Sequence, residues 1–496
     1  MDWKKLQNGS DIRGVALEGI EGENVNLTPQ VTHIIAKAFL AWLSARCPAA
    51  PLTVAVGSDS RLSGPMLKDA FMAGAAQAGA QVLDFGMAST PAMFMATVDE
   101  DLKVDGAVMI TASHLPFNRN GLKFFTAQGG LDKPDIKEIL ELAAGMEESI
   151  TPATPKACNV KSLDFMNQYS RNLVDFIRQG GDETPLKGMK IVVDAGNGAG
   201  GFFVDKVLAP LGADTTGSQF LTPDGRFPNH VPNPENKEAM ASIGQAVVDH
   251  HAHLGIIFDT DVDRSAIVDK SGQPINRNAL IALISTVILR EHPGSAIVTD
   301  SVTSDGLTEF IAGLGGVHHR FRRGYKNVIN EGIRLNHEGQ PCWLAIETSG
   351  HAALRENHFL DDGAYLVAKL LIEAARLNAQ GQGLQDLIKT LKQPCESKEI
   401  RFSIQIADFK TYGQQVLDHL AASAASQPGW NIVSPNYEGV RVACEAQDEQ
   451  GWFLLRQSLH DPVLPLNIES NVAGGVARVE ERIMRLLGKF DKLVRR

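Results

Sequence analysis

The chain has 496 residues, 44% of them hydrophobic, and 47 Lys+Arg against 58 Asp+Glu give a formal charge of −11. At about 150 residues per domain, this length suggests roughly three domains, each able to bury a core of its own. The acidic balance argues against a nucleic-acid partner, and it requires that any phosphate ligand be held by local cations, a metal or backbone N–H groups.

The five cysteines, Cys47, Cys158, Cys342, Cys395 and Cys444, lie far apart with no C-x-x-C pair, as suits reduced thiols in a cytoplasmic setting. The basic start Met1-Asp2-Trp3-Lys4-Lys5 is followed by no apolar stretch, so no secretory leader is expected. The longest apolar run, 280–289, is too short to cross a bilayer; it predicts a buried helix and no membrane partner.

In chain order, a short β-branched run repeatedly leads into an acidic or hydroxyl-bearing turn and then a helical pattern. Residues 52–56 enter Gly57-Ser58-Asp59, 107–110 enter Thr111-Ala112-Ser113, and 191–193 enter Asp194; 255–258 enter Asp259, and 296–299 enter Asp300. Such alternation predicts α/β units around mainly parallel sheets, with ligands gathering beyond the carboxyl ends of the strands. Candidate linkers are 151–157, 271–274 and the polar stretch after Lys392. They divide the chain into 1–156, 157–271, 272–393 and 394–496. The last segment opens on the alternating run Glu399-Ile400-Arg401-Phe402-Ser403-Ile404, a half-exposed antiparallel strand, and reads as a smaller α+β domain.

Three turns carry chemistry. In Thr111-Ala112-Ser113-His114-Leu115-Pro116-Phe117-Asn118-Arg119-Asn120-Gly121-Leu122-Lys123 a serine sits at a strand end beside an imidazole, with a lysine one loop away. Ser113 is a candidate nucleophile or phosphate carrier, and Lys123 a candidate for charge stabilisation or proton transfer. In Asp259-Thr260-Asp261-Val262-Asp263-Arg264 three alternate carboxylates offer hard oxygen ligands for one divalent cation, expected to be Mg²⁺. An EF-hand loop is excluded, because Arg264 and Lys270 stand where that loop needs Gly and a bidentate Glu. Arg264 suits a phosphate clamp. In Ala345-Ile346-Glu347-Thr348-Ser349-Gly350-His351, Glu347 can accept from sugar hydroxyls, Ser349 can donate or accept, and His351 can move a proton near neutral pH. Plainer readings of the three are a Ser/Thr turn, a solvated acidic turn and a helix cap.

Two further patterns draw weaker readings. Gly196-Asn197-Gly198-Ala199-Gly200-Gly201 satisfies G-x-G-x-x-G after a strand, as a dinucleotide loop would, but no strand-terminal acid follows about 20 residues on. Asp249-His250-His251-Ala252-His253 resembles a metal cluster, yet fits histidines meeting a helix C-terminus.

Taken together the motifs resemble the α-D-phosphohexomutases, in particular their phosphoglucomutase/phosphomannomutase branch. Asp11-Ile12-Arg13-Gly14 is similar to the N-terminal D-I-R-G element, and Val56-Gly57-Ser58-Asp59-Ser60-Arg61 to V-G-x-D-x-R. The serine loop resembles T-A-S-H-N-P-x-x-x-N-G-x-K, the acidic loop D-G-D-x-D-R and the third turn G-E-x-S-G-H; the segment 227–235 also has the family look. The resemblance implies a heart-shaped enzyme of four domains, three similar α/β domains with mixed sheets and a smaller α+β C-terminal domain, each giving a loop to a central cleft. It implies that Ser113 is the phosphoserine and that Asp259, Asp261 and Asp263, with Ser113, hold one Mg²⁺ per chain. Arg264 would contact the serine phosphate, and Arg13 and His114 would belong to the reaction centre. Lys123 or His351 would carry protons. Glu347, Ser349 and Lys326 would bind the sugar, and Arg456, Ser458 and His460 the non-reacting phosphate. The implied reaction interconverts hexose 1-phosphate and hexose 6-phosphate, glucose and mannose being favoured, through a hexose 1,6-bisphosphate that is also the activator. The partner is a small sugar phosphate, and the protein a monomer or homodimer.

Several positions depart from the family pattern. Leu115 replaces Asn, Thr260 replaces Gly and Ile346 stands where Gly usually begins the sugar loop; Leu459 and His460 replace the Gly and Thr of the phosphate loop. Leucine offers a phosphate neither close backbone approach nor a donor. This motivates a second reading, a mutase-like sensor of sugar phosphates; a nicotinamide-dependent oxidoreductase using the Gly196 loop is a third.

Overall fold

A computed structural model describes residues 1–47, 51–146, 160–179, 181–458 and 461–496. The expected linker at 151–157 lies outside the described residues. The chain forms two compact units, one of residues 1–280 with 349–386 and the other of 281–348 with 387–496.

The first unit contains a mixed eight-stranded sheet. Thr53–Ser58 lies at its centre, parallel to both Gly106–Ile110 and Gln81–Met87. Arg119–Thr126 runs antiparallel between Gly106–Ile110 and Asp11–Val15. Met109 is registered opposite Lys123, so Lys123 emerges beside the strand end that carries Ser113. Helices Pro29–Ser44, Gly64–Gln77 and Lys133–Gly145 share a core with Val54, Val56 and Val108. Helix Thr90–Val98 starts at Ser89, whose side chain accepts from the N–H of Ala92 as an N-cap should.

A second, four-stranded sheet in this unit pairs Ile191–Asp194 parallel to Leu254–Phe258, which turns back as the antiparallel strand Ser265–Asp269. The acidic loop is that hairpin's turn, with Phe258 opposite Ser265. Residues 271–274 form the tight turn of a further hairpin, Ser265–Asp269 against Pro274–Ile275, where Asp269 accepts the N–H groups of Ser271 and Gln273. Also in the first unit, Ala352–Leu354 pairs antiparallel with Leu360–Asp361 ahead of helix Gly363–Asn378. The apolar run 280–289 falls inside helix Arg277–Glu291.

In the second unit, Ala296–Thr299 lies between Val317–Arg320 and Cys342–Ile346, parallel to both. Its C-terminal part is a six-stranded sheet led by Glu396–Ile404, along which Ile400, Phe402 and Ile404 are buried, as the alternating run predicts. All its pairings are antiparallel, and helices Phe409–Ala424 and Gly475–Leu487 cover its core. The architecture is therefore three α/β domains with mixed sheets and a β-rich C-terminal domain.

Candidate active site

Ser113 occupies the left-handed region of backbone space, with φ of 52°, and is buried. Such a conformation is held only by surrounding bonds. Thr111 supplies one, its Oγ1 accepting the Ser113 N–H at 2.9 Å while donating to Asp59 Oδ2 at 2.7 Å. Arg61 supplies the rest. Its guanidinium is 1% exposed and donates to the carbonyls of Ser113, Leu115, Pro116 and Arg119, gathering the loop around one cation. Burial pushes the Asp59 carboxyl up to about 6, with the Arg61 charge opposing.

Around Ser113 Oγ, Arg264 Nη2 donates at 2.6 Å, Asp259 Oδ2 accepts at 3.0 Å, and His114 Nδ1 lies 3.3 Å away. Arg264 Nη2 also points at His114 Nδ1 from 2.6 Å. The charge of Arg264, with burial, holds the His114 imidazole well below its usual range. His114 is therefore neutral near pH 7, with Nδ1 as an acceptor facing the guanidinium.

The acidic loop lies beside the serine. Its three carboxylates are fully buried and each offers an oxygen within 4.8 Å of the others. Lys123 Nζ donates to Asp261 Oδ2 at 2.9 Å and to Asp263; Thr90 Oγ1 donates to Asp261 Oδ2 at 2.6 Å. Arg264 Nε and Nη2 hold Asp259 Oδ2 at 2.9 and 2.8 Å. Two oxygens, Asp261 Oδ1 and Asp263 Oδ1, are buried and accept no hydrogen bond. Burial and then repulsion from Asp263 push the Asp259 carboxyl well above the usual range. Burial works the same way on Asp263, but Lys123, His351 and Arg264 outweigh it and hold that carboxyl low. The cluster thus keeps two buried oxygens that accept no hydrogen bond, in an all-oxygen donor set that fits a hard divalent cation.

Ser349 and His351 belong to the same unit. Ser349 Oγ lies 2.9 Å from His351 Nδ1, and His351 Nε2 lies 3.6 Å from Asp263 Oδ1. Gly350, at φ of 96°, brings the chain so close to Ser265 that a Cβ there would sit 2.7 Å from its carbonyl oxygen. Arg13 Nη2 donates to Asp11 Oδ2 at 2.7 Å.

The remaining sequence candidates lie in the second unit. Glu347 Oε1 accepts the N–H of Gly324 at 2.6 Å, at the start of helix Tyr325–His337, whose first turn carries Lys326. Arg456 is buried 3.9 Å from Glu438 Oε1, and its Nε has no partner; burial lowers its basicity while Glu438 opposes. Ser458 Oγ accepts the N–H of Asp461 at 3.3 Å. Leu459 and His460 lie outside the described residues. Asp300, the acid after Ala296–Thr299, lies 3.9 Å from Arg323, which sequence reasoning did not single out; nor did it single out Glu438, which accepts from Ser301 and from the N–H of Arg323. Burial pushes Asp300 up to about 6, Arg323 opposing and Glu347 adding to it. The one available signal was its place after a predicted strand.

The glycine run 196–201 has a different purpose from a dinucleotide cradle. A Cβ on Gly198 would meet the Thr260 carbonyl oxygen at 2.6 Å, and one on Gly201 the Leu221 carbonyl oxygen at 2.5 Å. Gly198 lets this loop pack against the acidic loop, and Gly201 lets it pack against Leu221. Of the three histidines, His250 caps helix Lys237–Asp249 and His253 Nδ1 accepts the Lys190 N–H; none joins a metal-competent group among the described residues.

A strand-end serine beside a cation-ready carboxylate cluster and two guanidiniums defines a phosphoryl-transfer enzyme. The profiles for phosphoglucomutase/phosphomannomutase α/β/α domains I, II and III match residues 4–149, 167–272 and 276–394. A phosphoglucomutase of Neisseria meningitidis is 28% identical over 96% of both chains, and a phosphohexose mutase of Xanthomonas campestris is 31% identical over 87% of this chain and 90% of its own. A crystal structure of a phosphoglucomutase/phosphomannomutase family protein from Burkholderia thailandensis aligns with a TM-score of 0.78 at 27% identity, covering 97% of this chain and 96% of that one. The chain belongs to the phosphoglucomutase/phosphomannomutase family and is a sugar-phosphate mutase. No helix among the described residues is long and apolar enough to cross a membrane.

Proposed function

We propose that the enzyme interconverts hexose 1-phosphate and hexose 6-phosphate, of glucose or mannose or both, through a phosphoserine at Ser113. The observation that carries this is the setting of Ser113 Oγ, 2.6 Å from Arg264 Nη2 and 3.0 Å from Asp259, in a loop held by Arg61. In the forward half-reaction a sugar hydroxyl oxygen attacks the phosphorus and the Ser113 Oγ–P bond breaks. The electron pair left on Oγ is met by the Arg264 donor. The hydroxyl proton passes to His351, because Lys123, donating to Asp261 and Asp263, is already an ammonium and serves as a fixed positive charge, and the sugar leaves the step as a 1,6-bisphosphate. That bisphosphate turns over and returns its other phosphoryl group to Ser113, so free hexose 1,6-bisphosphate acts as activator. Catalysis rests on positioning and charge neutralisation, which Arg264, Lys123 and Arg13 supply.

One Mg²⁺ per chain is the cation proposed for Asp259, Asp261 and Asp263, with Ser113 as the fourth contributor. When bound it would neutralise charge on the transferring phosphoryl group. His114 orients Arg264 as a neutral acceptor. Glu347, Ser349 and Lys326 are proposed to bind sugar hydroxyls, and Arg456, Ser458 and His460 the non-reacting phosphate. The four-domain division at 156, 271 and 393, a cytoplasmic location and a monomeric or homodimeric state complete the reading. A coupled assay with glucose 1-phosphate, Mg²⁺ and catalytic glucose 1,6-bisphosphate tests it. The Ser113→Ala variant is expected to lose turnover, and equal rates for variant and wild type would overturn the assignment.

A further inference from the structure

The segment 224–235 reaches both guanidiniums that face Ser113. At its start, the turn at Gly225 packs so tightly on the Arg61 backbone that a Cβ there would meet Leu62 N at 2.4 Å, and the Phe227 ring lies 5.2 Å from the Arg61 guanidinium carbon. Near its end, Asn233 Oδ1 accepts from Arg264 Nη1 at 3.3 Å and from the Glu235 N–H at 3.0 Å. Arg61 gathers the serine loop, and Arg264 donates to Ser113 Oγ.

This segment has no helix or strand of its own, so something else must fix it. His230 does so from the middle. The ring is buried; Nε2 lies 2.9 and 3.1 Å from the two oxygens of Asp194, and Nδ1 lies 3.0 Å from the Val231 carbonyl oxygen. The Val231 carbonyl can only accept, so Nδ1 carries hydrogen, and the Nε2 side of the ring faces both oxygens of Asp194. Asp194 is itself anchored at the end of Ile191–Asp194, accepting from the Gly196 N–H and from Gln219 Nε2, each at 2.8 Å. Asn229 Nδ2 adds a bond to Asn197 Oδ1 at 2.7 Å. Burial disfavours the charged ring, but Asp194 and Val231 outweigh it and raise the basicity of His230.

We propose that His230 and Asn233 are positioning residues for phosphoryl transfer: the His230–Asp194 pair pins segment 224–235, and Asn233 at its end sets the plane of the Arg264 guanidinium at Ser113 Oγ. The inference rests on the phosphoserine reading above. Neither residue touches the reacting atoms, so their removal disturbs the geometry of the transition state more than ground-state binding.

The test uses the full-length phosphorylated enzyme with glucose 1-phosphate and glucose 1,6-bisphosphate. Asn233→Ala is expected to lower kcat about tenfold with KM changed less than about twofold and the melting midpoint unmoved. Asn233→Asp, which keeps the acceptor, should restore most of the rate. In an Arg264→Lys background Asn233→Ala should cost little more, because the two residues act as one unit. His230→Gln should reproduce the kcat loss; should that variant not fold, the Asn233 series decides alone. An unchanged kcat in Asn233→Ala, or a full additive loss in the double variant, would overturn the proposal. Ser113→Ala measured in parallel keeps the two readings apart. Activity in Ser113→Ala sinks the phosphoserine, whereas inactivity there with a wild-type rate in Asn233→Ala sinks only the positioning role.

Discussion

Lys123 Nζ bridges Asp261 and Asp263, so a single ammonium is shared by two of the three buried carboxylates of the acidic loop. The lysine is 5% exposed and the carboxylates 1% or less. Removing one partner of such a group leaves uncompensated buried charge, a loss of about 3–5 kcal/mol. Lys123→Ala is therefore expected to lower the melting midpoint in the presence of a chelator, and Mg²⁺ to raise that midpoint more in the variant than in wild type. Thermal melts of both proteins with EDTA and with Mg²⁺ decide it; an equal Mg²⁺ response would mean that the lysine and the cation do not share these oxygens.

Arg61 spreads one guanidinium over four carbonyls of the serine loop, a geometry that lysine's single ammonium cannot reproduce. Arg61→Lys should keep the charge beside Asp59 but release part of the loop. Turnover is expected to fall on the order of 10²-fold, since misplacing a reacting group by about 1 Å has that effect. Amide hydrogen exchange over 111–119 should accelerate while the central strands stay protected. Unchanged exchange with lost activity would point to a role for Arg61 other than loop closure.

These two cations mark what the sequence makes legible. Ser113, Asp259, Asp261, Asp263 and Arg264 are readable because each follows a short apolar run, and a strand end fixes where a contiguous turn emerges. Ile400, Phe402 and Ile404 are readable because alternation alone decides which face of a strand is buried. The clamp by Arg61 is not readable in this way, because its acceptors are carbonyls more than 50 residues away that any residue type supplies. The pair Asp194 and His230 is unreadable for a different reason: its two side chains meet across 36 residues, with nothing local to mark them as partners.

Gly198 offers a steric test of the acidic loop. A Cβ at this position would meet Thr260 O at 2.6 Å and Thr260 Cα at 2.8 Å, and backbone cannot swing aside as a side-chain tip can. Gly198→Ala should push Thr260 and with it Asp259 and Asp261. The half-saturating Mg²⁺ concentration is expected to rise about tenfold, the range seen when groups that orient metal ligands are altered. Titrating activity with Mg²⁺ reads the shift directly, and an unchanged half-saturation would show that the loop absorbs the displacement.

Asp362 gives the clearest pH signature, because the donors it accepts from are neutral. Its carboxylate caps helix Gly363–Asn378 by accepting the Tyr365 N–H at 2.8 Å, and it accepts from Tyr169 OH at 2.8 Å and Asn357 Nδ2 at 3.3 Å. Burial pushes it from 3.8 up to about 6, the hydrogen bonds opposing. The folded protein therefore holds this proton to higher pH than the unfolded chain does. The stabilisation from that proton is complete below the ordinary value and is lost as pH rises towards about 6, at most about 3 kcal/mol from this group. Asp362→Asn keeps an acceptor for Tyr169 and Tyr365 and cannot ionise. Any fixed difference from its altered contact with Asn357 is independent of pH. The unfolding free energy of the variant minus that of wild type should accordingly climb between about pH 4 and pH 7 and then level off. Denaturant titrations of both proteins across that range measure the difference, and groups that titrate in both cancel from it. A difference that stays flat, or that falls with pH, would mean that the carboxyl is ionised in the folded protein throughout.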